Sequence, residues 1–221
     1  VQRQSFGGWK QSVMGPGAKA GGPNYVAQFG TWADGPLRPF DADISQPVAA
    51  QLRGFERLGL SDEDTAWLWR AAELDQLAWQ QEFGRAHDRA GLVCEANVFR
   101  YRPVLTPLQI RISADAQLRD VARLALAATR TGSPVRLSAT PDKAAELRGL
   151  GFDVEALSAE AFAREVAGLE SARVRAVGSV EPGVYEAAVQ SNSVVLDQPV
   201  LADGRRELLA FLLEQACLLY T

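Results

Sequence analysis

Five short β-favouring runs alternate with helical stretches in the second half of this chain, and that alternation constrains its fold more than any other feature. The runs are Gln109-Ile110-Arg111-Ile112-Ser113, Val135-Arg136-Leu137, Phe152 to Leu157, Ala172 to Val177, and Val194-Val195-Leu196 as the last strand. A helix is expected from Asp115 to Thr129, with Leu118, Val121, Ala122, Ala125 and Leu126 on one face, and another from Asp142 to Leu150, closed by Gly151. Ser158 caps a helix through Leu169, Pro182 sits in the first turn of one that runs to Gln190, and Asp203 is expected to open a final helix through Ala216. Strands joined through helices need crossover connections, which are right-handed. They therefore build a mostly parallel sheet covered on both faces. The expected class is α/β, with a Rossmann-like, doubly wound domain over 104–221.

The preceding stretch, 34–103, reads as a linker and a helical segment. Asp34-Gly35-Pro36, Arg38-Pro39-Phe40 and Gln46-Pro47 place three prolines in a dozen residues, which forbids a continuous helix. Val48 to Leu58 lacks proline and ends at Gly59; Ser61 with Asp64 three positions later supplies the N-cap of a long helix to about Arg85. Trp67, Leu74 and Ala78 share one face of that helix and Trp69 lies nearly opposite Trp67, so burial on two sides is expected. Val93, Val98 and Phe99-Arg100-Tyr101-Arg102 read as a strand ended by Pro103.

With 221 residues, 47% of them hydrophobic, the chain is long enough to fold as an ordinary domain with an appendage. A formal net charge of −4 leaves no broad basic face, which argues against nucleic acid as a partner. No apolar stretch approaches the length of a membrane span, and a cytoplasmic location is the expectation. Cys94, Cys217 and the lone His87 have no metal-ligand spacing, so no metal site is expected.

A doubly wound domain invites a dinucleotide, and the first strand-to-helix turn tests it. That turn reads Ile112-Ser113-Ala114-Asp115-Ala116, without Gly-x-Gly-x-x-Gly, and Asp115 puts a carboxylate where a pyrophosphate would lie. Gly149 and Gly151 have the commoner use of closing a helix. Gly15, Gly17, Gly21 and Gly22 surround Lys19, but Ala20 follows that lysine where a phosphate loop needs Ser or Thr. The 104–221 domain is expected to bind no cofactor.

The N-terminal segment, Gln2-Arg3-Gln4-Ser5-Phe6-Gly7-Gly8-Trp9-Lys10 through Gly15-Pro16-Gly17-Ala18-Lys19-Ala20-Gly21-Gly22-Pro23-Asn24-Tyr25, is dense in glycine and aromatic residues. It resembles the C-terminal end of the aldehyde dehydrogenase catalytic domain. The branch it resembles is L-glutamate γ-semialdehyde dehydrogenase, in the large bacterial form often fused to proline dehydrogenase. Asn97 to Pro103 and Gln190-Ser191-Asn192-Ser193 resemble, more weakly, the extra C-terminal domain of those fused enzymes. The resemblance implies that 1–33 closes the catalytic domain and that Phe6 lines the aldehyde pocket, with Gly7 and Gly8 shaping the turn beside it. It also implies NAD as cofactor of the parent enzyme, FAD where proline dehydrogenase is fused, and a homo-oligomer. The catalytic Cys and Glu are expected before residue 1, so no catalytic residue is assigned and the isolated chain is expected to be inactive. Cys217 in Glu214-Gln215-Ala216-Cys217 follows the Phe-Gly-Gly turn instead of preceding it, which removes it as nucleophile by family order. Two other roles remain open for the second half: a non-catalytic structural domain or lid over a substrate channel, and an independent nucleotide-binding module.

Overall fold

The computed structural model describes residues 5, 18–36 and 42–220. Leu108–Ile112 (β3), Val135–Ala139 (β4), Val154–Ala156 (β5), Arg173–Val177 (β6) and Val194–Leu196 (β7) form one parallel sheet in the order β5-β4-β3-β6-β7. This is the doubly wound arrangement expected from the alternation, with the chain reversing its direction of travel at β3. The helices Leu118–Thr131 (α3), Pro141–Gly149 (α4), Ala159–Ala167 (α5) and Pro182–Gln190 (α6) supply the crossovers.

Side-chain alternation along β3 explains how both faces are covered. Ile110 and Ile112 join Val121 and Leu124 of α3 and Ala144 and Leu147 of α4 in one core. Arg111 points the other way, with its guanidinium 4.8 Å from the centre of the Phe162 ring of α5. A second core on the α5 and α6 side gathers Phe162, Val166, Val174, Val184 and Ala187.

Two more helices, Gln46–Phe55 (α1) and Asp62–Ala78 (α2), pack outside α3, where Val48, Leu52, Trp67, Leu68 and Ala71 meet Ala122 and Leu126. Ser61 caps α2 as expected, its hydroxyl accepting from the Asp64 N–H at 3.1 Å. Trp67 is buried and Trp69 half-buried, and both pack in the one cluster that α1, α2 and α3 share, where burial on two sides was expected. The helix does not stop at Ala78. It runs on through one π turn, Trp79–Phe83, to Gly84.

The C-terminal stretch departs from expectation. Asp203 does cap a helix, accepting from the Arg206 N–H at 3.0 Å, but that helix (α7) covers only Gly204–Glu207. A 3₁₀ turn over Leu208–Phe211 follows, and Leu212–Tyr220 is a strand (β8), so Val194–Leu196 is not the last strand. Two long-range interactions override the helical propensity. Strand β8 pairs antiparallel along its whole length with Glu95–Pro103 (β2), which also pairs with the short His87–Asp88 strand (β1). In addition, Arg173 Nη1 of β6 reaches the carbonyls of Ala210 at 3.0 Å and Leu212 at 2.7 Å, acceptors that a continuing helix would use internally. The β2–β8 pairing joins residues from either side of position 103.

Candidate functional site

Of the segment that carries the family motif, Ser5 and Ala18 to Tyr25 are described, and Lys19 to Asn24 make its main contact. It is held against the β2–β8 sheet by buried polar contacts. A turn closes with the Gly22 N–H donating to the Lys19 carbonyl at 2.8 Å, and Gly21 takes a φ of +74° that residues with a Cβ adopt only at a cost. Gly22 lies so close to the sheet that a Cβ there would stand 2.9 Å from Glu214 Oε2 and 2.9 Å from the Lys19 carbonyl oxygen. The motif glycines therefore serve close approach of backbone to a carboxylate.

That carboxylate organises the contact. Glu214 on β8 is 1% exposed; its Oε2 accepts from the Lys19 backbone N–H at 2.6 Å and its Oε1 from Asn24 Nδ2 at 2.8 Å. The same Asn24 amide donates to the Tyr101 hydroxyl of β2 at 2.8 Å, and Tyr101 donates onward to Glu82 Oε1 of the π turn at 2.9 Å. The His87 ring lies 3.0 Å from the Glu82 carbonyl. Burial pushes the Glu214 carboxyl above the usual range, against the hydrogen bonds from Lys19 and Asn24. Burial, reinforced by the Glu82 and Glu214 carboxylates, also raises the Tyr101 phenol and keeps it a donor. The chain Glu214, Asn24, Tyr101, Glu82 thus links the motif segment, two strands and the end of α2 in one hydrogen-bonded clasp.

The switch point of the parallel sheet, between β3 and β6, is where a doubly wound fold places a ligand. Asp115 occupies it. Its carboxylate accepts from the Ser179 N–H at 3.1 Å and the Ser179 hydroxyl at 2.6 Å, and a short hydrogen bond joins it to the Ser113 hydroxyl. These bonds hold the carboxyl well below the ordinary aspartate range, Ser113 contributing most and Ser179 next. Gly178, at φ +82°, completes the cradle: a Cβ there would collide with Ser113 Oγ and lie 2.6 Å from Asp115 Oδ1. The protein's own anion takes the donors that a phosphate would use. A carboxylate thus stands where the pyrophosphate of a dinucleotide would lie. Among the described residues no group of three or more His, Cys, Asp or Glu side chains could hold a metal ion.

Phe6, Gly7 and Gly8, the substrate-pocket residues implied by the sequence resemblance, lie outside the described residues. Asn24 is quoted in the motif without a role, and Glu214 stands out in sequence only as a neighbour of Cys217. Tyr101 and Glu82 are hidden in a strand and in a helix end. The signal that could have found them is the adjacent Gly21-Gly22 pair, which requires a partner at contact distance.

The chain is similar to the structure of Proline Utilization A (PutA) from Corynebacterium freiburgense, at 41% identity over 100% of this chain, with a TM-score of 0.70. It spans 19% of the length of that protein. It also matches a 3,6-anhydro-L-galactose dehydrogenase solved in complex with NAP, at 15% identity over 69% of this chain and 39% of that one, with a TM-score of 0.42, a likeness too distant to bear on function. No family model and no curated protein matches the chain.

Proposed function

We propose, from the premise that this chain is a segment of the Proline Utilization A type, that it serves a larger oxidoreductase converting L-glutamate γ-semialdehyde to glutamate. The 41% identity to PutA over the entire chain carries this reading. In it, Phe6 packs against the aliphatic part of the aldehyde substrate while Gly7 and Gly8 give the turn its shape. The clasp on Glu214 anchors Lys19 to Asn24, the part of the motif nearest the β2–β8 sheet. The nucleophilic Cys, the Glu that activates water and the NAD site belong to other parts of the larger protein, as does FAD where a proline dehydrogenase accompanies it. NAD bound there would supply the hydride acceptor for oxidation of the aldehyde to the acid. The doubly wound domain is architectural.

A second reading makes that domain a cover over a substrate passage between two active sites. The Asp115 carboxylate in its own ligand crevice favours a non-catalytic part of this kind.

Kinetics of the larger enzyme test the first reading. Phe6→Ala is expected to lower kcat/KM for the semialdehyde about tenfold or more, as for a lost apolar wall at a reacting centre; unchanged kinetics remove Phe6 from the pocket. Truncation after Trp32 separates the second reading, because intact coupled flux from proline to glutamate would refute a cover. The isolated 221-residue chain is expected to reduce no NAD with the semialdehyde.

A further inference from the structure

Away from the switch point, a cavity of about 320 Å³ lies between the 24–32 segment, strand β7 and α7. Apolar side chains form much of its wall, among them Leu196, Leu201 and Leu209, with the Trp32 ring on one side. Two arginines reach it, and they differ in how their donors are used. Arg175 is spent: it pairs with Glu207 through Nε at 2.9 Å and Nη2 at 3.1 Å, and it donates from Nη1 to the carbonyls of Ala176, Leu196 and Gln198. Arg206 stacks its guanidinium 4.3 Å from the centre of the Trp32 ring, and among the described residues its buried Nη1 has no hydrogen-bond partner.

A buried guanidinium nitrogen without an acceptor is costly, and the cavity beside it is where an acceptor can come. Just behind the same wall lies an unused acceptor. Asn24 is 1% exposed; its amide nitrogen is committed to Tyr101 and Glu214, and its Oδ1 has no partner. Of the other charged groups at the cavity, Glu207 is paired with Arg175, Asp197 accepts a hydrogen bond from the Tyr185 hydroxyl, and the Asp203 carboxylate acts electrostatically on Arg206. One idle cation, one idle neutral acceptor and apolar walls define a complementary ligand.

We propose that this cavity binds a small organic carboxylate with a hydrogen-bond donor on the adjacent carbon, an α-amino or α-hydroxy acid. Its carboxylate pairs with Arg206, turned on the Trp32 face to present its donors, its ammonium or hydroxyl donates to Asn24 Oδ1, and its side chain fills the apolar end. The proposal does not depend on the role assigned to Phe6.

The test is calorimetric titration of the full chain with three probes of one shape: L-valine, 2-hydroxyisovalerate and isovalerate. Saturable binding is expected for valine, the hydroxy acid or both, the tighter one identifying the donor, with isovalerate about tenfold weaker for want of it. Arg206→Gln is expected to weaken binding about tenfold or more, with the melting temperature lowered only slightly by loss of the stack on Trp32. Should that variant fail to fold, the guanidinium resonance of Arg206 in the unaltered chain is to be followed by NMR, and it is expected to shift as valine or the hydroxy acid saturates. The proposal is overturned if none of the three binds, which would leave the cavity to water alone, if isovalerate binds as well as the others, if Arg206→Gln binds normally, or if the resonance stays in place.

Discussion

Gly22 and Glu214 stand so close across the clasp that a Cβ on the glycine would lie 2.9 Å from the carboxylate oxygen Oε2. The same Cβ would also lie 2.9 Å from the Lys19 carbonyl oxygen, so it meets backbone as well as side chain. Gly22→Ala is therefore expected to cost about 1–3 kcal/mol, the range for overpacking a close contact, read as a lower urea midpoint with an unchanged slope. An unaffected midpoint would mean that the motif segment is not seated on β8.

The Asp75–Arg123 pair joins α2 to α3 with both side chains 0% exposed. Two parallel bonds of 2.7 and 2.9 Å connect them, and Arg123 Nε donates to the Leu201 carbonyl at 2.9 Å. Asp75→Ala strands a buried guanidinium and is expected to cost about 3–5 kcal/mol. Replacing both at once, Asp75→Leu with Arg123→Met, is expected to cost much less than the sum of the single changes in a double-mutant denaturation cycle.

The Asp115 carboxyl is depressed in the folded protein by its Ser113 and Ser179 hydrogen bonds. A depressed acid contributes stability above its unfolded pKa of about 3.9 and loses it as pH falls below that value toward the folded one. Asp115→Asn is expected to flatten this acid-side decline, seen as a smaller drop in melting temperature from pH 5 to pH 3, roughly the span that brackets the unfolded value. A variant as acid-sensitive as the parent would show that the carboxylate is not held at the switch point.

Ala216 is half-buried on β8 opposite Phe99 of β2, beside the bond from Arg100 Nε to Gln215 Oε1 at 2.6 Å. A β-branched residue facing an aromatic across a strand pair favours the sheet, so Ala216→Val is expected to raise stability by about 0.5 kcal/mol. In a helix the same change would lower it by a similar amount. Denaturant midpoints separate the two by sign.

Much of the architecture is legible in the residues themselves. Pro182 starting a helix that ends at Gln190, Ser61 and Ser158 as caps, and Gly59 and Gly151 as stops all act within a few residues of where they stand. Alternation of strand and helix then leaves few topologies to choose from, and the parallel sheet follows. Asp115 belongs to the same class, because a carboxylate and a missing glycine pattern at one turn are visible without any partner.

Tertiary structure decided what depends on contacts distant in sequence. Leu212 to Ala216 has good helix formers, yet it becomes a strand because β2 offers nine residues of backbone to pair with and Arg173 takes carbonyls a helix would need. Glu214 becomes the anchor of the clasp, and Arg206 and Asn24 become neighbours in one cavity, only when segments from both ends of the chain meet at the same sheet. Propensity and periodicity are summed over a turn or two, whereas a buried carboxylate or an idle guanidinium is defined by which distant groups are present to satisfy it.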